Sequence, residues 1–182
     1  MRAKPTFITS NASKAEQLSW HLGIEVAHQA AEVPEIQSLD PAEVVEHKAR
    51  AAFETVQGPV LVEDTSLVFH ALGKLPGPLI KWFLQELGND GLCRLLNGYG
   101  SRSATAAVIF GYYDGQQLLT FWGVKQGEIA AHPRGASGFG WDPIFVPEGD
   151  SKTWGEMSKD EQTQTSIRKV ALLKFERYLQ GE

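Results

Sequence analysis

The chain is poor in several features that define whole classes of protein. It has one cysteine, Cys93, among 182 residues, so it cannot form an internal disulfide and gives no support to a cysteine-rich metal site. Nowhere do 18 apolar residues follow one another, and the N-terminal MRAKPTFITSN has no apolar core of signal-peptide length. We therefore expect a cytoplasmic protein with no membrane partner, and we expect Cys93, inside the apolar GLCRLL, to belong to the core.

Positive charge is also scarce. A net charge of -5 and a pI near 5.6 argue against a general nucleic-acid binder, which usually has a basic face. None of the five histidines has metal-ligand spacing to another, and no Ser-His-Asp or Cys-His pattern occurs. This argues against a zinc enzyme and against covalent acyl transfer. A small anionic ligand held by a few lysines is compatible with this composition.

The most informative stretch is LVEDTSLVFHALGKLPGPLIKWFLQEL. Val60–Val62 predicts a buried strand that stops at Glu63 and Asp64. Two carboxylates would then lie at the C-terminal edge of a sheet, where open α/β sheets bind ligands. After a loop rich in glycine and proline, Pro78 is predicted to open a helix, with Lys81 in its first turn. Two acids, a stiff loop and a lysine suit a metal ion and a phosphate.

Strand and helix patterns alternate before this stretch. The predicted elements are a strand at Thr6–Thr9, a helix from about Lys14 to Leu22, a strand at Ile24–Ala30 and a helix at Pro41–Gln57. The small-residue turn SNASK would let backbone N–H groups face an anion at a helix N-terminus. The helix at Pro41–Gln57 is amphipathic, and DPAE resembles a capping box with proline at the first helical position.

The second half is richer in β-branched and aromatic residues. Its predicted strands are Ser103–Tyr113 and Gln116–Lys125, joined by the hairpin signal Asp114-Gly115, followed by Gly127–Ala131 and Pro143–Val146. SKDE resembles a second capping box. The last helix would present Ile167, Val170, Ala171, Phe175, Tyr178 and Leu179 on one face. We expect one α/β domain over residues 1–182, an elongated mixed β-sheet with helices at both ends, in two lobes.

Taken singly, the candidate residues have ordinary structural explanations. Adjacent acids after a strand are often loop or capping carboxylates, and Lys48 in the middle of a helix is often a solvated charge. Glu35 in VPEIQS could be a turn residue, and Phe139 and Trp141 could be core aromatics. The order of the motifs is far more specific than any one of them.

That order resembles the inosine triphosphate pyrophosphatase family. The similarity runs from about Thr6 to Leu179 through TSNASKAEQL, VPEIQ, the helix with Lys48, VEDTSL, ALGKLPGPLIKWFL, SGFGWDPIF and EMSKDEQTQTSIRKVALLKF. The resemblance implies a central active-site cleft between two lobes and usually a homodimer. It implies Mg²⁺-dependent hydrolysis of deaminated purine nucleoside triphosphates (ITP, dITP, XTP) to the monophosphate and pyrophosphate.

The resemblance also implies roles for individual residues. Asp64 matches the central acid, which is a metal ligand or a proton acceptor, and Glu35 and Glu63 are the other metal candidates. Thr9, Asn11, Lys14 and Lys48 match phosphate-binding positions; Thr65 and Lys81 match substrate contacts; Phe139, Gly140, Trp141 and Asp142 match the base pocket; Gln162, Ser166 and Arg168 match the base-reading segment.

This segment departs from the family pattern, which usually has E-K-N followed by Ser-His-Arg. Here Gln162 replaces the lysine and Ile167 the histidine, while Arg168 remains. The amide of Gln162 can still donate a hydrogen bond. Fewer donors to the purine carbonyl should weaken selectivity for hypoxanthine over adenine.

Three hypotheses follow. The first is an enzyme that keeps the ITP and XTP preference through Arg168, and the second is the same hydrolysis with altered base specificity. The third is a non-catalytic nucleotide-binding protein. The complete set of Lys14, Glu35, Lys48 and Asp64 speaks against this last hypothesis.

Overall fold

A computed structural model of the chain describes residues 4–9, 14–15, 18–19, 26–31, 33–136 and 139–181. The strands are β1 (Thr6–Ile8), β2 (His28–Gln29), β3 (Val60–Phe69), β4 (Pro76–Gly77), β5 (Ser103–Tyr113), β6 (Leu118–Ile129) and β7 (Phe145–Pro147). From residue 33 onward the α-helices are α1 (Pro41–Val56), α2 (Ile80–Arg94), α3 (Lys159–Thr165) and α4 (Ile167–Gln180).

The strands form a mixed sheet in the order β2-β1-β3-β5-β6-β7, with β4 paired to β3. Strand β1 runs parallel to β2 and β3, whereas β4 and β7 are antiparallel to their neighbours. This confirms the predicted mixed α/β sheet. The chain divides into unit 1 (Met1–Asp64, Val108–Gly123 and Arg168–Glu182) and unit 2 (Thr65–Ala107 and Val124–Ile167).

Unit 1 has its core between α1 and the strands. The apolar face of α1 packs into a buried cluster comprising Ile8, Val45, Ala49, Ala52, Val60, Val62 and Ile109. The N-cap Asp40 accepts a hydrogen bond from the Ala42 N–H at 2.9 Å, and Pro41 is the first helical residue. Glu43 does not close the predicted capping box, because its carboxylate accepts from Ser38 Oγ at 2.6 Å. Gln57, predicted as the last helical residue, is the left-handed C-cap.

The strand expected to stop at Glu63 and Asp64 continues to Phe69. Both acids therefore lie inside β3 and not at its end, which corrects the prediction. The reason is a non-local pairing, since Leu67 and Val68 are in register with Gly77 and Pro76 of β4. Pro76 and Gly77 form β4. The next helix, α2, therefore begins only at Ile80, and Pro78 lies before it. Lys81 is in the first turn, as predicted.

Several other boundaries differ from the sequence-based ones. Within the predicted strand Ile24–Ala30, residues 24 and 25 lie outside the described residues, and of residues 26–30 only His28–Gln29 form a strand. Strand β6 continues through Gly127 to Ile129, so that two predicted strands are one. A 3₁₀ turn at Asp142–Ile144 shifts the final strand to Phe145–Pro147. The predicted helix at 14–22 is described only at residues 14–15 and 18–19, which are helical.

The C-terminal helical region is divided by Ser166, whose backbone is extended (φ -66°, ψ 113°). Along α4, Ile167, Ala171 and Phe175 are buried as predicted, whereas Val170 is 45% exposed and Leu172 is buried. Within unit 2, Cys93 is buried, and this burial raises the pKa of its thiol, as expected for a core cysteine. Among the described residues, no helix is long and apolar enough to cross a membrane.

Candidate active site

Glu63 is the centre of a charged cluster in unit 1. Its side chain is only 4% exposed. One carboxylate oxygen, Oε1, accepts hydrogen bonds from Lys14 Nζ at 3.4 Å and from Arg168 Nη2. Its backbone carbonyl accepts from Lys48 Nζ at 3.3 Å. One residue of β3 therefore contacts three cations that come from different parts of the chain.

Lys48 also pairs with the second acid of this cluster. Its Nζ lies 2.5 Å from Glu35 Oε1, and its side chain is 15% exposed whereas that of Glu35 is 46% exposed. The capped helix α1 sets this arrangement, because its buried face contains Val45 and Ala49 on either side of position 48. Lys48 is thus not a solvated surface charge, and Glu35 is not an isolated turn residue. We call Lys14, Glu35, Lys48, Glu63 and Arg168 the Glu63 cluster.

Asp64 follows Glu63 in β3 and is half-buried. Adjacent residues of a strand point to opposite faces of the sheet, so the two carboxylates do not face the same way. A buried carboxylate is retained only when it is paired or hydrogen-bonded. Glu63 meets that requirement through Lys14 and Arg168, and Asp64 supplies a second acid whose surroundings differ from those of Glu63.

The predicted metal ligands fit Mg²⁺ in part. Among the residues that the structure describes, which include Glu35, Glu63 and Asp64, no three His, Cys, Asp or Glu side chains form a group that could hold a metal ion. Mg²⁺ prefers hard oxygen ligands, keeps several waters and often binds through one or two carboxylates plus substrate phosphates. Glu35 and Asp64 suit that mode. Glu63, predicted as a further ligand, accepts hydrogen bonds from two cations, and its role as a metal ligand stays a prediction.

The predicted phosphate-binding turn is described at two of its three positions. Thr9 follows β1, and its N–H donates to the Gln29 carbonyl at 3.1 Å. Lys14 belongs to the Glu63 cluster, and Asn11 lies outside the described residues. The structure therefore places Lys14 with Lys48 and Arg168 around one glutamate.

The predicted base-pocket residues form a tight turn in unit 2. The Phe139 N–H donates to Asp142 Oδ2 at 2.6 Å, and the Asp142 N–H donates to the Phe139 carbonyl at 3.0 Å. The Phe139 ring is 70% exposed. Trp141 instead packs inward, with its ring centroid 5.9 Å from that of Phe145 and 5.7 Å from that of Trp154. The turn therefore presents one aromatic ring to solvent and anchors itself with another.

Gln162 supports this aromatic group through Trp154. Its amide Nε2 donates to the Trp154 carbonyl at 2.6 Å, while Trp154 Nε1 donates to Thr165 Oγ1 at 2.9 Å. The sequence analysis did not identify Trp154. The only sequence feature that pointed to it was its position in KTWGEMS, just before the capping box. The amide predicted to read the base thus makes a bond inside unit 2.

Helix α3, which carries Gln162, begins at the predicted capping box. The Ser158 hydroxyl accepts from the Glu161 N–H, and the Glu161 carboxylate accepts from the Ser158 N–H. The hydrogen bond from Lys152, followed by those from Ser158, lowers the pKa of Glu161 to about 2. The carboxylate that accepts from the Ser158 N–H is therefore ionised at neutral pH.

The remaining predicted contacts also lie in unit 2. Thr65 is half-buried in β3, and Ser166 is half-buried between α3 and α4. Lys81 is exposed on α2, with its Nζ 5.4 Å from the ring centroid of Trp82. Their substrate contacts stay predictions.

Comparison with known proteins covers nearly the whole chain. Residues 6–178 match the Ham1 family. The chain is 46% identical over 178 residues to an inosine triphosphate pyrophosphatase from Ajellomyces capsulatus, covering 95% of this chain and 94% of that protein. It is 43% identical over 180 residues to an inosine triphosphate pyrophosphatase from Emericella nidulans, covering 97% and 96% of the two chains.

The fold is similar to that of solved structures as well. A HAM1 protein from Coxiella burnetii superposes with a TM-score of 0.86 at 26% identity, covering 98% of this chain and 100% of that one. The similarity in sequence and the similarity in fold both extend over almost the full length. The resemblance predicted from the order of the motifs is confirmed, and the chain belongs to the Ham1 family.

Proposed function

We propose that this protein is a nucleoside triphosphate pyrophosphatase that hydrolyses inosine triphosphate and related deaminated purine nucleoside triphosphates. The products are the nucleoside monophosphate and pyrophosphate. The observation that carries the proposal is the Glu63 cluster, in which a chain with a net charge of -5 collects Lys14, Lys48 and Arg168 around one buried carboxylate. The names of the similar proteins supply the substrate.

Lys14 and Lys48 of unit 1 are proposed to bind the phosphates. Phosphoryl transfer depends mainly on positioning and on stabilising charge, because the protein has little covalent chemistry to perform. Lys14 and Lys48 are held by Glu63 and Glu35, so their ammonium groups need little reorganisation when a polyanion arrives. Thr9 and Asn11, which belong to the same predicted turn, are proposed as further phosphate contacts.

Glu35 and Asp64 are proposed to hold Mg²⁺ together with phosphate oxygens of the substrate. The bound ion would neutralise charge on the phosphates and on the leaving pyrophosphate. Asp64 is proposed to orient a water molecule toward the α-phosphorus and to accept its proton. A bond forms between the water oxygen and the α-phosphorus, the bond from this phosphorus to the bridging oxygen breaks, and pyrophosphate leaves with the bonding electrons.

The turn from Phe139 to Asp142 is proposed to bind the base. Stacking of a base on an exposed aromatic ring contributes roughly 1–3 kcal/mol and is tolerant of base identity, which suits the exposed ring of Phe139. Selectivity then has to come from hydrogen bonds to the base edge. Arg168 is the proposed reader, with Ser166, Thr65 and Lys81 as further substrate contacts.

Pyrophosphate release from ITP, XTP, dITP, GTP and ATP in the presence of Mg²⁺ tests the proposal. We expect turnover of ITP and XTP to exceed that of GTP and ATP by at least about tenfold, the ratio that a difference of 1.4 kcal/mol gives. No turnover of any of the five would contradict the proposal.

A second candidate function is the same hydrolysis with altered base preference. The hydrogen bond from Gln162 to Trp154 favours it, because this bond uses one of the two amide hydrogens and leaves at most one for a purine carbonyl. A flat profile over the five nucleotides, or a preference for ATP, would support this candidate. A thermal-shift panel with and without Mg²⁺ would identify a protein that binds without turnover, since ligand stabilisation follows affinity.

We also propose, from the family resemblance, that the protein is a homodimer. Sedimentation equilibrium at micromolar concentration should then give twice the chain mass of 20.0 kDa. A mass equal to that of one chain over the whole concentration range would contradict this assignment.

A further inference from the structure

Helix α2 is interrupted in unit 2 at Gly88, whose backbone angles (φ 63°, ψ 177°) are not helical. Glycine adopts such a conformation readily because it has no Cβ. Asn89 follows the interruption and so begins a new helical segment. Gly88 is therefore the N-cap of this segment, and Asn89 is its first helical residue.

Asn89 does not act as a cap. Its Nδ2 donates to the carbonyl of Gly140 at 3.0 Å, and among the described residues its buried Oδ1 has no hydrogen-bond partner. The interruption at Gly88 therefore presents a carboxamide to another segment of unit 2. That segment is the Phe139–Asp142 turn.

This hydrogen bond joins the turn to α2. The two hydrogen bonds between Phe139 and Asp142 close the turn on itself, and Trp141 packs on Phe145 and Trp154. Gly140 has a positive φ of 60°, and a Cβ built there would lie 3.6 Å from Leu84 Cδ2 of α2. The Gly140–Trp141 peptide thus contacts α2 through the hydrogen bond from Asn89.

We propose that Asn89 is a positioning residue for base recognition: by holding the Gly140 carbonyl, it orients the turn that presents the Phe139 ring. This inference rests on the proposed function, because it requires that the turn bind a purine. Asn89 does not contact the substrate. Its effect should be on binding of the base, because Asn89 and the turn belong to unit 2, whereas the proposed phosphate-binding lysines, Lys14 and Lys48, belong to unit 1.

If Asn89 had a purely structural role, its substitution would lower the melting temperature and would not act selectively on substrates that have a base. A hydrogen bond adds stability, whereas a buried oxygen without a partner costs a similar amount. The two effects of Asn89 oppose each other, and the half-buried Gly140 carbonyl can accept from water in Asn89→Ala, so the melting temperature should change little. Its effect should appear in the Michaelis constant for substrates that have a base.

The test compares Asn89→Ala and Asn89→Asp with the wild-type chain, using ITP and ribose 5-triphosphate, which lacks the base. We expect KM for ITP to rise roughly tenfold with kcat nearly unchanged, the size expected for one lost hydrogen bond. Asn89→Asp keeps the shape but loses the donor, so its KM should rise at least as much. For ribose 5-triphosphate, kcat/KM should not change. Asn97→Ala, at an exposed asparagine, is the control.

Three results would overturn the inference. One is an unchanged KM for ITP in Asn89→Ala, and another is an equal loss on both substrates, which indicates general damage to the fold. If the wild type hydrolysed neither substrate, the proposed function would be wrong. In that case calorimetric titration with inosine would test the role of Asn89. The third contradicting result is an equal affinity for inosine in the wild type and Asn89→Ala, or no binding of inosine to either protein.

Discussion

Asp64→Asn is expected to lower kcat for ITP by about 10³-fold, within the range typical of a positioned acid or base. The amide has the shape of the carboxylate, so β3 should remain intact, but it has no charge to hold a metal ion and cannot accept a proton from water. Pyrophosphate release at saturating Mg²⁺ measures the loss. Nucleotide binding, measured by thermal shift, should persist because Lys14 and Lys48 are unchanged.

Asp160→Asn is a suitable control, since Asp160 is an exposed acid in the first turn of α3. It should retain wild-type turnover. Near-full activity of Asp64→Asn at saturating Mg²⁺ would show that Asp64 is not the central acid of the reaction. Loss of nucleotide binding together with turnover would show that Asp64 acts mainly in binding.

Glu63→Gln is expected to lower the free energy of unfolding by about 2 kcal/mol and to lower kcat/KM for ITP as well. The carboxylate is 4% exposed, whereas Lys14 and Arg168 are 27% and 26% exposed. Removing its charge leaves two partly desolvated cations without their counter-ion, which costs more than losing a surface pair. Urea unfolding measures the stability, and initial rates measure the activity.

The matched control is Glu46→Gln, which removes the acid of the pair with Arg50 on α1, where both side chains are about half exposed. Its stability should change by less than about 0.5 kcal/mol. Equal small losses in the two variants would show that burial adds nothing to the Glu63 pairing. The Mg²⁺ concentration for half-maximal activity should stay constant in Glu63→Gln, whereas a large increase would show that Glu63 is a metal ligand, as predicted from the sequence.

The local elements of this fold could be predicted because their signals lie in adjacent residues. The bounds of β5 and the start of α1 at Pro41 agree with the prediction, and the box that begins α3 is closed at Ser158 and Glu161. Each depends on a cap, a turn dipeptide or an alternation of apolar residues. These act over one or two turns of chain, so neighbouring residues suffice to specify them.

Signals between distant residues were misread. Glu63 and Asp64 were predicted at a strand end because acids rarely continue a buried strand, yet the pairing with β4 extends β3 to Phe69. The hydrogen bond from the Gln162 amide to the Trp154 carbonyl was likewise not foreseen, and the role of Gln162 in base recognition stays a prediction. In each case the structure depends on a contact with a residue elsewhere in the chain, and the local sequence pattern does not indicate that contact.

The sequence by itself determined the family, the α/β class and the residue types needed for phosphate and base chemistry, because the order of the motifs survives without any knowledge of distances. Only the tertiary structure decided which of those residues meet. Arg168 reaches Glu63 across 105 positions, and Asn89 reaches Gly140 across 51. A hydrogen bond requires heavy atoms about 3 Å apart, and for residues so distant in sequence only the folded chain determines that separation.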